Sequence, residues 1–190
     1  MSNLFEPLDL AHGKAMKNRF ALAPMTNQQS HPDGRLSDEE LNWLVKRASG
    51  GFALVMTAAS HVQPGGQGFP GQLGIFSDAH LDGLSRLAEG IKVHGALAAV
   101  QLHHAGSRAP SEIVGIPVCP SDDPKSGARA LTLGEVEQLR DAFIAGAKRA
   151  DQAGFDGMIR AYKNLWHIGK TRICRQQLHI GHSGKTDSGQ

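Results

Sequence analysis

Three times along the chain, an apolar stripe of helical period ends at glycine and gives way to a short unbroken apolar run. Leu41, Leu44, Val45 and Ala48 fall at i, i+3, i+4 and i+7, one face of an α-helix. Ser37 and Glu40 open it as a capping box, hydroxyl and carboxylate each serving the other's backbone amide. Gly50-Gly51 closes it, because glycine takes the left-handed cap conformation cheaply. Phe52–Thr57 (FALVMT) follows and suits a strand buried on both faces. The unit recurs at Ser77, with Leu84, Leu87, Ala88 and Ile91 inward, Gly95 as the stop and Ala96–Leu102 as the strand. It recurs again at the Thr132/Glu135 capping box, with Val136, Leu139, Phe143, Ala147 and Ala150 inward; Gly154 ends that helix and Phe155–Ile159 starts a strand. Arg19–Met25 (RFALAPM) is a strand-like run ahead of all three units.

Strands alternating with helices predict an α/β fold with a parallel sheet, since parallel neighbours need a crossover. Right-handed crossovers leave an open doubly wound sheet or a (β/α)8 barrel. The turns into the strands are short, while the segments after them, 26–36, 60–76 and 103–131, are long. Barrels allow that asymmetry, because the loops after the strands carry the site. The expected fold is therefore a (β/α)8 TIM-type barrel. Four strands make only half of one, so the body reads as a barrel truncated to about its first four strands.

Composition narrows the setting. The chain has 190 residues, enough for one domain with its own core, and 20% charged residues with apolar runs exclude global disorder. Two cysteines, Cys119 and Cys174, are too few for a disulfide framework, which points to a reducing, cytoplasmic compartment. The opening MSNLFEPLDL has no signal-peptide core, and no apolar run is long enough to span a bilayer, so no membrane partner is expected. The net charge of +2 is unevenly spread: residues 1–157 carry −3 and residues 158–190 carry +5. That break predicts a barrel domain over 1–157 and an irregular basic tail over 158–190. The tail lacks any nucleic-acid motif, so a solvated segment rather than a nucleic-acid partner is expected.

Several segments carry candidate chemistry. Ala23–Asn27 (APMTN) ends the first strand with a proline that removes a backbone donor and the Thr26 hydroxyl, either as a plain turn or as part of a site. Gln101 is a polar amide inside an apolar strand; it either bonds a neighbouring strand or meets a ligand's amide-like edge. His103 and His104 point to opposite sides of an extended segment and do not form a zinc site, although one of them can face the site mouth. Gly66–Gly71 (GQGFPG) matches a dinucleotide fingerprint literally but neither follows a strand directly nor opens a helix. It reads instead as a flexible loop over a pocket.

Taken in order, LFEPLDL, KNRFALAPMT, Asp33-Gly34, RASGGFALVMTAAS, PGGQGFPGQLGI, VHGALAAVQLHHAG and AGFDG resemble the Old Yellow Enzyme family of FMN-dependent NADH:flavin oxidoreductases, over residues 4–157. The resemblance implies FMN at the carboxyl ends of the barrel strands. It implies that Pro24, Met25 and Thr26 line the flavin, with the Thr26 hydroxyl near the C4 carbonyl. Ala59 would let the ring approach closely, and Gln101 would hydrogen-bond the pyrimidine edge. It further implies that NAD(P)H reduces FMN, which then passes hydride to the β-carbon of an activated alkene, the small-molecule substrate. The family's carbonyl-holding His-Asn or His-His pair has no counterpart in Met158–Asn164, so no catalytic residue is transferred, nor any such role to Asn164 or His167. Segments for the later strands and their phosphate-binding arginine are not found in this sequence. Two functions are expected in consequence: an FMN-dependent NAD(P)H oxidoreductase of ene-reductase type in truncated form, or a non-catalytic half barrel that closes, if at all, as a homo-oligomer. Residues 158–190 are expected to be an out-of-frame or spliced-in tail.

Overall fold

Parallel pairing of two apolar strands organises the molecule. The computed structural model describes residues 3–11 and 14–161. Strands β1 (Leu8–Asp9) and β2 (Ala15–Met16) form a small antiparallel pair, with Leu8 opposite Met16, which the sequence pattern did not predict. Then come β3 (Ala21–Leu22), α1 (Asp38–Ser49), β4 (Leu54–His61), α2 (Leu81–Lys92) and β5 (Leu97–His103). The long segment after β5 holds α3 (Ser111–Val114), β6 (Val118–Cys119) and β7 (Arg129–Ala130), before α4 (Leu133–Gln152) and β8 (Gly157–Ala161). The main sheet runs β3-β4-β5-β8, every neighbour parallel, so all carboxyl ends share one rim.

The helices cover one face of this sheet. Leu44 and Ala48 of α1, Leu84, Leu87 and Ile91 of α2, and Leu139, Phe143 and Ala150 of α4 meet Val55, Ala98, Val100 and Leu102 in one core. The predicted stripe of α2 is wholly buried; in α4, Val136 and Ala147 are only half-buried and Gly146 is buried beside Val62. Period-2 alternation sends Leu54, Met56 and Ala59 of β4 and Leu97 and Gln101 of β5 to the opposite face, where they are half-buried. This second face corresponds to the lumen side of a barrel.

Several expected boundaries move. β4 runs to His61 rather than ending at Thr57, because a register shift between Met56 and Ala59 absorbs one extra residue and pairing with β5 resumes. β3 keeps only two residues of the Arg19–Met25 run, and Pro24 beyond it has no N–H for a ladder. β8 starts at Gly157, since the Phe155 amide bonds back to Ala150 and only the Asp156 amide reaches Ala98. The strand runs from the expected boundary at residue 157 on to Ala161; beyond Ala161, the expected irregular tail lies outside the described residues. Gly51, not Gly50, takes positive φ after α1 (+107°). The GQGFPG segment is not a free loop: a Cβ on Gly66 would overlap the His104 ring, and Gly71 abuts the Gln28 carbonyl.

The two capping boxes have different fates. At α4 both halves form, the Glu135 amide donating to Thr132 Oγ1 at 3.3 Å and the Thr132 amide to the Glu135 carboxylate at 2.8 Å. Thr132→Ala is expected to lower stability by about 1 kcal/mol, read as a shift of the urea midpoint at constant slope. At α1 only the Ser37 half forms, with the Glu40 amide donating to its hydroxyl at 3.0 Å. The Glu40 side chain turns elsewhere.

Candidate functional site

The shared rim gathers polar groups from three strands. In the β4–β5 ladder Ala59 is the direct partner of Gln101, and Gln101 faces Ile159 of β8 on its other side. The bulge produces the first pairing: without the extra residue, β4 would present its other face beside Gln101. It also frees the Gln101 backbone N–H to donate to Thr57 Oγ1 at 3.2 Å, while the buried Thr57 hydroxyl donates to the Ala58 carbonyl at 2.7 Å. The Gln101 side-chain amide makes no hydrogen bond among the described residues and stands half-buried next to a methyl side chain.

Pro24, Met25 and Thr26 leave the carboxyl end of β3, next to β4, and so reach the same rim. Pro24 is half-buried, Met25 is 49% exposed, and Thr26 is exposed. The fold thus brings Ala59 and Gln101 into direct register; Thr26 joins them on the rim without a hydrogen bond to either.

Sequence reasoning missed Gln72. It is fully buried, its Nε2 donates to the Ala59 carbonyl at 2.9 Å and lies 3.2 Å from His103 Nδ1, and its Oε1 accepts from the Gly68 amide at 2.6 Å. One side chain thereby ties the GQGFPG segment to the strand ends beneath it. Gln72 stands between Gly71 and Leu73 in a segment with no strand period, so the break in an apolar run that marks Gln101 is missing there.

Two rim histidines are held neutral. His104 is 4% exposed and its Nδ1 accepts from the Gly106 amide at 3.1 Å; burial, with smaller contributions from His103 and His61, pushes its pKa down to about 4. Burial lowers His61 as well; its Nδ1 donates to the Gln63 carbonyl at 3.0 Å, and its buried Nε2 has no hydrogen-bond partner among the described residues. Of the adjacent pair, His104 is buried and His103 is half-exposed beside Gln72, on opposite sides as expected.

These residues fit FMN's pyrimidine edge: an unspent amide able to donate and accept at once lies beside a side chain too small to block a planar ring. The layout is that of a (β/α)8 barrel of flavin oxidoreductase type, seen over its first half. The chain belongs to the NADH:flavin oxidoreductase / NADH oxidase family, whose family model matches residues 3–161. That family uses FMN with NAD(P)H as reductant. The chain is 44% identical over 160 residues to the "Probable NADH-dependent flavin oxidoreductase YqiG" of Bacillus subtilis, covering 82% of this chain and 43% of the relative. It is 38% identical to an NADPH dehydrogenase of Bacillus licheniformis, over 82% of this chain and 47% of that one. Among solved structures, an Old Yellow Enzyme homologue from Zymomonas mobilis superposes with a TM-score of 0.75 at 29% identity, over 84% of this chain and 48% of that chain. The chain therefore spans less than half the length of these relatives. Among the described residues, no helix is long and apolar enough to cross a membrane.

Proposed function

We propose that this chain binds FMN on the rim formed by Pro24, Met25, Thr26, Ala59 and Gln101, and serves in NAD(P)H-dependent reduction of an activated alkene. The supporting observation is the Gln101 side-chain amide, half-buried beside Ala59 and bonded to no described residue. Gln101 donates to and accepts from the ring's pyrimidine edge, Ala59 leaves room for the ring, and the Thr26 hydroxyl orients its carbonyl side. Bound FMN supplies the hydride transfer between NAD(P)H and an electron-poor alkene. Burial holds His61 and His104 neutral at pH 7, so neither adds a positive charge to the rim. The buried free thiol of Cys119 suits a reducing, cytoplasmic setting.

Titrating the full chain with FMN and following flavin fluorescence tests this reading. Gln101→Leu should weaken binding about tenfold, about 1.4 kcal/mol, with an unchanged urea midpoint. Absence of FMN binding by the wild-type chain, or equal affinity of the variant, would refute it. NAD(P)H oxidation by the FMN-loaded chain on adding an enone tests the reaction itself.

A second reading is a non-catalytic half barrel. It is favoured by β3 and β8, each of which has one ladder neighbour among the described residues, an arrangement that invites pairing with a second copy. A colourless protein that sediments as a dimer would support this alternative.

A further inference from the structure

Glu40 is fully buried on the first turn of α1, and no cation pairs with it among the described residues. A buried carboxylate without a cation is unfavourable unless several donors satisfy it. Its donors come from the loop that follows Thr26: Asn27 Nδ2 donates to Oε1 at 3.0 Å, and the Ser30 hydroxyl donates to Oε2. Between them lies Gln28, with φ +55°, the one residue other than glycine with positive φ among those described. The loop's other side is held as well, since the Ser30 amide donates to the Gly71 carbonyl at 3.0 Å. Helix propensity does not account for this geometry, because the local pattern at Ser37–Glu40 would have returned the carboxylate to the helix cap. The carboxylate instead leaves its own helix and grips the residue next to Thr26.

We propose that Glu40 is a positioning residue: its carboxylate, gripping Asn27 and Ser30, fixes the loop that carries the Thr26 hydroxyl to the FMN site. The loop has only two residues of ladder behind it, in β3, so it draws its order from this clamp. Glutamine has nearly the same shape but carries no charge and only one acceptor oxygen, so Glu40→Gln replaces two charge-assisted bonds by weaker neutral ones and loosens the loop while preserving core volume. The inference rests on the FMN reading for Thr26's role, but not for the clamp itself.

Two measurements on the full chain test it separately. In the protein without FMN, 15N relaxation should show the Thr26 and Asn27 amides of Glu40→Gln falling from order parameters of about 0.85 to below about 0.6, with α1 and β4 unchanged. Unchanged values at these two amides would overturn the proposal, whatever FMN does. The second measurement is a double-mutant cycle on FMN affinity, with each variant corrected for its folded fraction in urea. Glu40→Gln and Thr26→Ala should each raise the Kd about fivefold or more, and the double variant should match Thr26→Ala alone within about twofold. Additive losses would mean that Glu40 acts by some route other than Thr26, and would also overturn it. If Thr26→Ala leaves the Kd unchanged, or the wild type binds no FMN, the FMN reading fails and the relaxation result alone decides whether the clamp exists.

Discussion

Gly71→Ala should lower stability by about 3 kcal/mol, a large share of what holds a domain of this size folded. Gly71 has φ +65°, and a Cβ there would lie 2.5 Å from the Gln28 carbonyl oxygen and 3.0 Å from that of Ser30. Left-handed backbone costs an L-residue about 1–2 kcal/mol, and forcing a methyl into backbone that cannot rotate away adds about 1–3 kcal/mol. Gly127 provides the control, with φ +70° and nothing within 4 Å of its would-be Cβ. Gly127→Ala should show the conformational part alone. Urea midpoints of the two variants separate strain from collision; equal losses would mean that the close approach of residues 28–30 to Gly71 is absent in solution. Because the Ser30 amide bonds Gly71, the first variant should also loosen the loop behind Thr26.

The second large effect is loss of stability in mild acid. The His104 pKa falls from 6.5 to about 4 on folding, so between those values the unfolded chain holds a proton that the folded chain does not. Stability is therefore full above pH 6.5 and declines as the pH drops toward 4. The decline amounts to about 3 kcal/mol in total, with about 2 kcal/mol of it gone by about pH 5. His61, also lowered, adds a loss of the same sign. Glu40 opposes it: burial raises its pKa, so protonating it as the pH falls through its folded value favours the folded chain. His104→Asn keeps an acceptor for the Gly106 amide but does not titrate. Urea midpoints near neutrality and at about pH 5 should differ by about 2 kcal/mol less in this variant than in the wild type. An identical acid dependence would show that folding does not lower the His104 pKa.

Much of the fold could be read from the chain because it is written in local periods. The α2 stripe of Leu84, Leu87, Ala88 and Ile91 is the buried face of that helix, and the Thr132/Glu135 box caps α4 as its spacing predicts. Glycine misled in one place and left a detail open in another. GQGFPG reads as a loose loop, yet its small residues are there because His104 and Gln28 press against them. At Gly50-Gly51, composition indicates a stop but not which glycine turns left-handed.

The rim was legible only in part. Gln101 could be picked out as an amide among apolar residues, whereas Gln72, placed more deeply and bonded three ways, sits in a stretch that has no period to break. Ser37 and Glu40 look like a complete cap because the motif is defined over four residues. Ser30 and Asn27 become competing partners only after the chain has folded back.

What the amino-acid order determined by itself is the succession of helices and strands, hence a parallel sheet with one functional rim, together with the motifs that mark the family. Those depend on spacings of a few residues, which any short segment carries within it. The tertiary structure alone decided that a bulge in β4 sets Ala59 beside Gln101, that Glu40 abandons its cap for a loop, and that His104 is kept neutral. Register, burial and competition for hydrogen bonds arise between segments far apart in the chain, and no local pattern encodes them.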